Sequence, residues 1–83
     1  MVLSEDMRQV VRFHRKKSGL TQGELAKVAG VGKTAVFDIE KGKKTIRLDT
    51  FQKVLEALNI TMSFESPLMA AYERSKEAKD ANR

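Results

Sequence analysis

Residues 30–42 read GVGKTAVFDIEKG, and how they are read decides the fold. Both flanks have the pattern of helix, so the Gly30-Val31-Gly32 interruption between them needs a physical reason. The segment after it has two faces to satisfy. Val36 and Ile39, with Ala35 beside them, form an apolar stripe that suits a core. At about 100° per residue the opposite face holds Lys33, Thr34, Phe37, Asp38 and Lys41. That arc combines donors, a hydroxyl and one large apolar group, the composition of a surface that reads something. With only Gly30, Val31 and Gly32 as linker, the two helices must cross steeply, with Val31 turned inward as the pivot.

The flanking sequence supplies the helices such a turn needs. Before it, Thr21 and Glu24 form a T-x-x-E capping box, and Leu20 and Leu25 are placed for the hydrophobic staple. Ala26 and Ala29 keep one side of this helix thin, and Gly30 stops it. Further upstream, a helix from residue 4 or 5 to 17 is expected, capped by Ser4. Glu5 and Asp6 lie in its first turn and Lys16 and Lys17 in its last, which suits the helix dipole. Met7, Val10, Val11 and His14 share one stripe, so His14 reads as a partly buried packing residue, and Gly19 closes the helix. After the turn, Gly42 ends the third helix and KGKKTIR forms a basic loop. A fourth helix over residues 48–58 presents Leu48, Phe51, Val54, Leu55 and Leu58 to the core. Asn59 then takes the left-handed closing position.

The period changes at ITMSFE. Ile60, Met62 and Phe64 alternate with Thr61, Ser63 and Glu65, the pattern of a half-buried strand. No second segment reads as a strand. Its backbone groups therefore require either antiparallel pairing with the same segment of a second copy, or packing on its own domain. Residues 67–83 are charge-balanced and rich in helix formers. They form either a short helix, with Ser66 as cap and Pro67 at its first position, or a disordered tail.

Composition narrows the function. The 83 residues carry a net charge of +5, with 41% hydrophobic residues, enough for one small core. Residues 1–47 hold eleven Lys and Arg against five Asp and Glu, and residues 48–83 hold five against six. The excess sits in the half with the turn, as expected of a face toward a polyanion. The chain has no cysteine and a single histidine, so neither disulfides nor a thiolate or His-based metal site is expected, and no cofactor. There is no phosphate-cradling loop and no carboxylate pair placed for catalysis, so an enzyme is not expected. No apolar run approaches the roughly 20 residues of a membrane span and no signal peptide opens the chain, so a soluble, cytoplasmic protein with no membrane contact is expected. What remains is a helix-turn-helix, in which one helix braces across the phosphate backbone while the second enters the major groove.

At this point the stretch RKKSGLTQGELAKVAGVGKTAVFDIEKGKKTIRLDTFQKVLEALNI resembles the Cro/C1-type (Xre) helix-turn-helix family. The likeness covers residues 7–60, and its most specific parts are GLTQGELA, AGVG and IEKGK. It implies an all-α, lambda-repressor-like domain of four helices over residues 1–59, followed by a dimerisation strand at 60–66 and the tail at 67–83. A strand and polar tail in that order look most like HipB-type antitoxins. Those pair the strand across a dimer and repress their own operon in complex with a HipA-type kinase toxin. The resemblance implies that Gln22 holds a phosphate and braces the recognition helix. Gly32, Lys33, Thr34 and Phe37 match positions that meet base edges, and Lys43, Lys44 and Thr45 the loop on the DNA backbone. Arg15 and Glu40 match a buried ion pair, and Ile60, Met62 and Phe64 the dimerisation strand. Relatives usually have Ser where this chain has Gly32, and many have Ser at Phe37, which would favour thymine methyls over a hydrogen-bond code. Phe37 is otherwise a residue packed under the tail, and Asp38 a local ion-pair or solvated residue. The implied partners are double-stranded DNA with a palindromic operator, a second copy of the chain and a HipA-type toxin. The alternatives are a stand-alone Xre-type repressor, or an interaction module that chiefly neutralises a partner.

Overall fold

Each helix begins and ends where the local chemistry favours it. The structure, a computed structural model, describes residues 1–41 and 45–81, with side chains through residue 78. Helix α1 (Glu5–Lys17) starts where the Ser4 side chain accepts from the Met7 N–H at 3.2 Å. Helix α2 (Gln22–Ala29) has both halves of its capping box. Glu24 N–H donates to Thr21 Oγ1 at 3.1 Å and Thr21 N–H donates to Glu24 Oε1 at 2.9 Å. Helices α3 (Lys33–Lys41) and α4 (Leu48–Ala57) follow, and α5 (Met69–Ala81) ends the described chain.

Three of these helices close with the same device. A residue with positive φ follows the helix: Gly19 (φ 73°) after α1, Gly30 (φ 73°) after α2 and Asn59 (φ 58°) after α4. In each case its N–H and that of the next residue turn back to carbonyls of the last turn. After α2, Gly30 N–H donates to Lys27 O at 3.3 Å and Val31 N–H to Ala26 O at 3.0 Å. This paired bonding satisfies carbonyls the helix would otherwise leave orphaned. It also aims the chain: Val31 is turned back and half-buried against the core, and α3 starts two residues later.

Helices α1 to α4 build the core. Leu25, Ile39, Val11, Val36 and Val54 are fully buried, with Leu3, Ala26, Ile46, Phe51, Leu55 and Leu58 around them. Truncating a fully buried leucine such as Leu25 to alanine costs about 2–5 kcal/mol. Leu58 is the cap residue after α4, and Leu3 and Ile46 lie in the segments before α1 and α4. Ile46 exchanges backbone hydrogen bonds with Met1 (N–H to Met1 O 2.8 Å, Met1 N to Ile46 O 2.7 Å), and Arg8 Nη1 donates to Leu3 O at 2.7 Å. The segment before α1 is thereby tied to the loop before α4. This corrects one expectation: Leu48 is 48% exposed rather than in the core, because Ile46, two residues earlier, is the buried residue at that end. On α1 only Val11 is fully buried, while Met7, Val10 and His14 are half-buried.

The expected strand is not formed. The described residues contain five helices and no strand, and residues 60–65 carry no secondary structure. The physical reason is the one the sequence already raised: a single chain supplies no neighbouring strand, and a ladder cannot form alone. Ile60 packs on the core, but Met62 is 36% and Phe64 76% exposed. The fold is therefore all-α with five helices. The fifth begins at Met69, whose N–H donates to Ser66 O at 3.1 Å, rather than at Pro67. Residues 70–78 are exposed throughout, and no described residue of α5 belongs to the core or packs against it. The radius of gyration, 15.9 Å, is larger than the about 12 Å of a compact chain this long. A helix about 20 Å long standing away from the core accounts for the 47 Å long axis.

Candidate nucleic-acid interface

The third helix presents two faces, as its sequence demands. Val36 and Ile39 are fully buried, while Gly32, Lys33, Thr34 and Lys41 are exposed and Phe37 is 46% exposed. Asp38 is half-buried and not a free carboxylate. The exposed set follows the spacing of one side of a helix, beginning at the turn. Gly32, just before α3, has open space where a Cβ would stand and an ordinary φ. Lys33 is less detached than its exposure suggests. A Cβ added at Gly23 would lie 3.8 Å from Lys33 Cδ, so the lysine stem runs beside the first turn of α2. That places its ammonium group near the positive end of the α2 dipole, an arrangement that favours an anion close by.

What holds α3 at its angle is a tie between three helices. Arg15 on α1 meets Glu40 on α3 with two hydrogen bonds, Nε to Oε2 at 2.6 Å and Nη2 to Oε1 at 2.8 Å. The two side chains are only 11% and 5% exposed. Arg15 Nη1 also donates to Leu20 O at 2.9 Å, and Gln22 Nε2 on α2 reaches Glu40 Oε1 at 3.4 Å. Hydrogen bonding to Glu40 pushes the Arg15 guanidinium above its ordinary pKa. The parallel fork fixes direction as well as distance, which a single point contact does not. Gln22 thus adds a contact from α2 to the carboxylate that joins α1 to α3. The Thr21 backbone N–H holds the neighbouring Glu24 carboxyl below the usual carboxylate range, which keeps the capping box ionised and closed.

The remaining expected contacts divide. Thr45 is described and exposed, while Lys43 and Lys44, with Gly42 before them, lie outside the described residues. Sequence reading did not single out Arg12. It lies three residues before Arg15 on the same side of α1, and with Arg15, Gln22, Phe37, Glu40 and Lys41 it lines a cleft of about 180 Å³. The i, i+3 spacing from Arg15 was the available signal. His14 does not take part: its Nδ1 lies 2.6 Å from Val10 O and its ring meets Phe13 edge-on, as a packing residue would.

On another face, residues 60–62 form a wall between two hollows. Gln52, Leu55 and Glu56 line one, of about 330 Å³, and Asp6, Met7, Val10 and Phe51 line the other, of about 150 Å³. Among the described residues no group of His, Cys, Asp or Glu is placed to hold a metal, and no helix is long and apolar enough to cross a membrane.

Residues 11–64 match the profile of the Helix-turn-helix family. The chain is 39% identical over 62 residues to the uncharacterized HTH-type transcriptional regulator y4mF of Sinorhizobium fredii, covering 75% of this chain and 82% of that protein. It is 32% identical over 53 residues to antitoxin HipB of Escherichia coli K12, covering 64% of this chain and 60% of HipB. The HipB–O4 20mer complex superposes with a TM-score of 0.70 at 26% identity, over 81% of this chain and 96% of that one. The HipA-HipB-O2-O3 complex gives the same score, identity and coverage.

Proposed function

Since the chain belongs to the Helix-turn-helix family, with transcriptional regulators and HipB antitoxins among its relatives, we propose that it is a sequence-specific repressor that reads duplex DNA with α3. The observation that carries this reading is the division of α3 into a fully buried apolar side and an exposed side of Lys33, Thr34, Phe37 and Lys41, held at a fixed angle by the Arg15–Glu40 fork. Lys33 donates to base edges, Thr34 supplies a hydroxyl and Phe37 packs on thymine methyls. Gly32 lets the backbone come close. Gln22, Lys43, Lys44 and Thr45 hold phosphates on either side and set the register.

The chain acts as a two-fold dimer. Backbone N–H and C=O groups of residues 61–65 make no backbone hydrogen bond among the described residues, and Met62 and Phe64 are left exposed. A second copy satisfies both, with Ile60, Met62 and Phe64 at the contact. Two recognition helices about 34 Å apart then read successive major grooves of a palindrome.

Likeness to HipB, one solved complex of which contains HipA, supports the finer reading of an antitoxin that represses its own operon with a HipA-type toxin. In this reading residues 1–59 bind DNA, 60–66 join the dimer and 67–83 meet the toxin. The standing-off of α5 favours this over a stand-alone repressor, because Leu68 and Tyr72 are left 74% and 56% exposed at its start. A reporter driven by the region upstream of this reading frame tests the proposal. The wild type should silence it and Lys33→Ala should release it at equal protein level. Equal expression with and without the wild-type protein would contradict it.

A further inference from the structure

The cleft lined by Arg12, Arg15, Gln22, Phe37, Glu40 and Lys41 has a use that the contacts above leave open. It lies where α1, the start of α2 and the end of α3 meet, and two of its walls, Phe37 and Lys41, belong to the exposed side of α3. Its charges do not cancel. Glu40 is taken up by the fork from Arg15, which leaves Arg12 and Lys41 as two exposed cations in the lining, one from α1 and one from α3. Gln22 adds an amide and stands in the first turn of α2, where backbone N–H groups have no acceptor within the helix. Cations, an amide and a helix N-terminus around one hollow form a receptor for a single anion.

We propose that Arg12 and Lys41 close with Gln22 on one backbone phosphate of the bound duplex, so that α1 as well as α2 and α3 grips the DNA. The assignment rests on the DNA-binding reading above. A phosphate is the anion that fits, because the cleft continues the α3 face and is reached by whatever lies along it. A contact of this kind carries no base preference, and it fixes how deeply α3 sits.

The test is a salt titration of DNA binding by the full chain. Arg12→Ala should lower the slope of log affinity against log salt by about 0.9, the value for one phosphate contact, and weaken matched and scrambled duplexes alike. Arg12→Lys should restore the slope, and neither change should move the thermal midpoint, since Arg12 is exposed. In a scan of single methylphosphonate substitutions along the duplex, one position should weaken the wild type and leave Arg12→Ala unaffected. A wild type that prefers its own site while Arg12→Ala keeps the full slope would overturn the clamp alone. A wild type that binds no duplex would overturn the DNA reading beneath it.

Discussion

Glu40 shows how one residue sets the orientation of a whole helix. Its carboxylate accepts two hydrogen bonds from Arg15 at 2.6 and 2.8 Å and a weaker one from Gln22, so it joins α1 and α2 to α3. With side chains 11% and 5% exposed, neither charge is well solvated, and each depends on the other. Glu40→Gln should therefore cost about 3–5 kcal/mol, the range for stranding one member of a buried pair. Urea unfolding measures this directly, and a loss below about 1 kcal/mol would place the pair in the class of solvated surface bridges instead. The pair was named from the family likeness rather than from periodicity, since 25 residues separate its members and no local pattern links them. Arg12 was missed for a related reason. An arginine on a basic helix looks like any solvated cation until the neighbouring helix is in place.

At the scale of the element, the turn between α2 and α3 depends on two glycines for different reasons. Gly30 has a φ of 73°, where a Cβ is strained whatever the space around it, and it donates to Lys27 O to close α2. Gly30→Ala should cost about 1–2 kcal/mol. Gly32 has no such φ and nothing within 4 Å of an added Cβ, and it precedes the first residue of α3. Gly32→Ser should supply the missing cap and raise stability by about 0.3 kcal/mol. Thermal unfolding of the two variants side by side checks the pair, and opposite signs are the expected outcome. These features were legible in the sequence, as were the Thr21–Glu24 box, the Ser4 cap and the Asn59 closure, because each depends on a few adjacent residues. Residues 60–65 were legible only as an alternation. A strand is a property of two segments, and the second was never in the sequence. Likewise the composition of residues 67–83 fits helix and tail equally, and only the structure places α5 there.

The whole molecule is a packed four-helix unit with a fifth helix standing off it, and its exposed residues fall on separate faces. Lys33, Thr34 and Phe37 lie on the side of the turn, whereas Met62 lines two hollows, one against α4 and one between α1 and α4. A dimer built through residues 60–65 leaves the exposed side of α3 free in both copies. Met62→Pro tests this, since proline removes a ladder donor and the Met62 N–H makes no backbone hydrogen bond among the described residues. Sedimentation should show a folded monomer with weakened DNA binding, against a wild-type dimer. A wild type that is already monomeric at micromolar concentration would contradict the dimer. Whether α3 reads a DNA sequence is measured by competition between two labelled duplexes at physiological salt. One carries the region upstream of this reading frame, and the other has the same base composition in scrambled order. The wild type should prefer the first by at least about 10³-fold, and Lys33→Ala should reduce that preference sharply. Equal affinity for both duplexes in the wild type would contradict it.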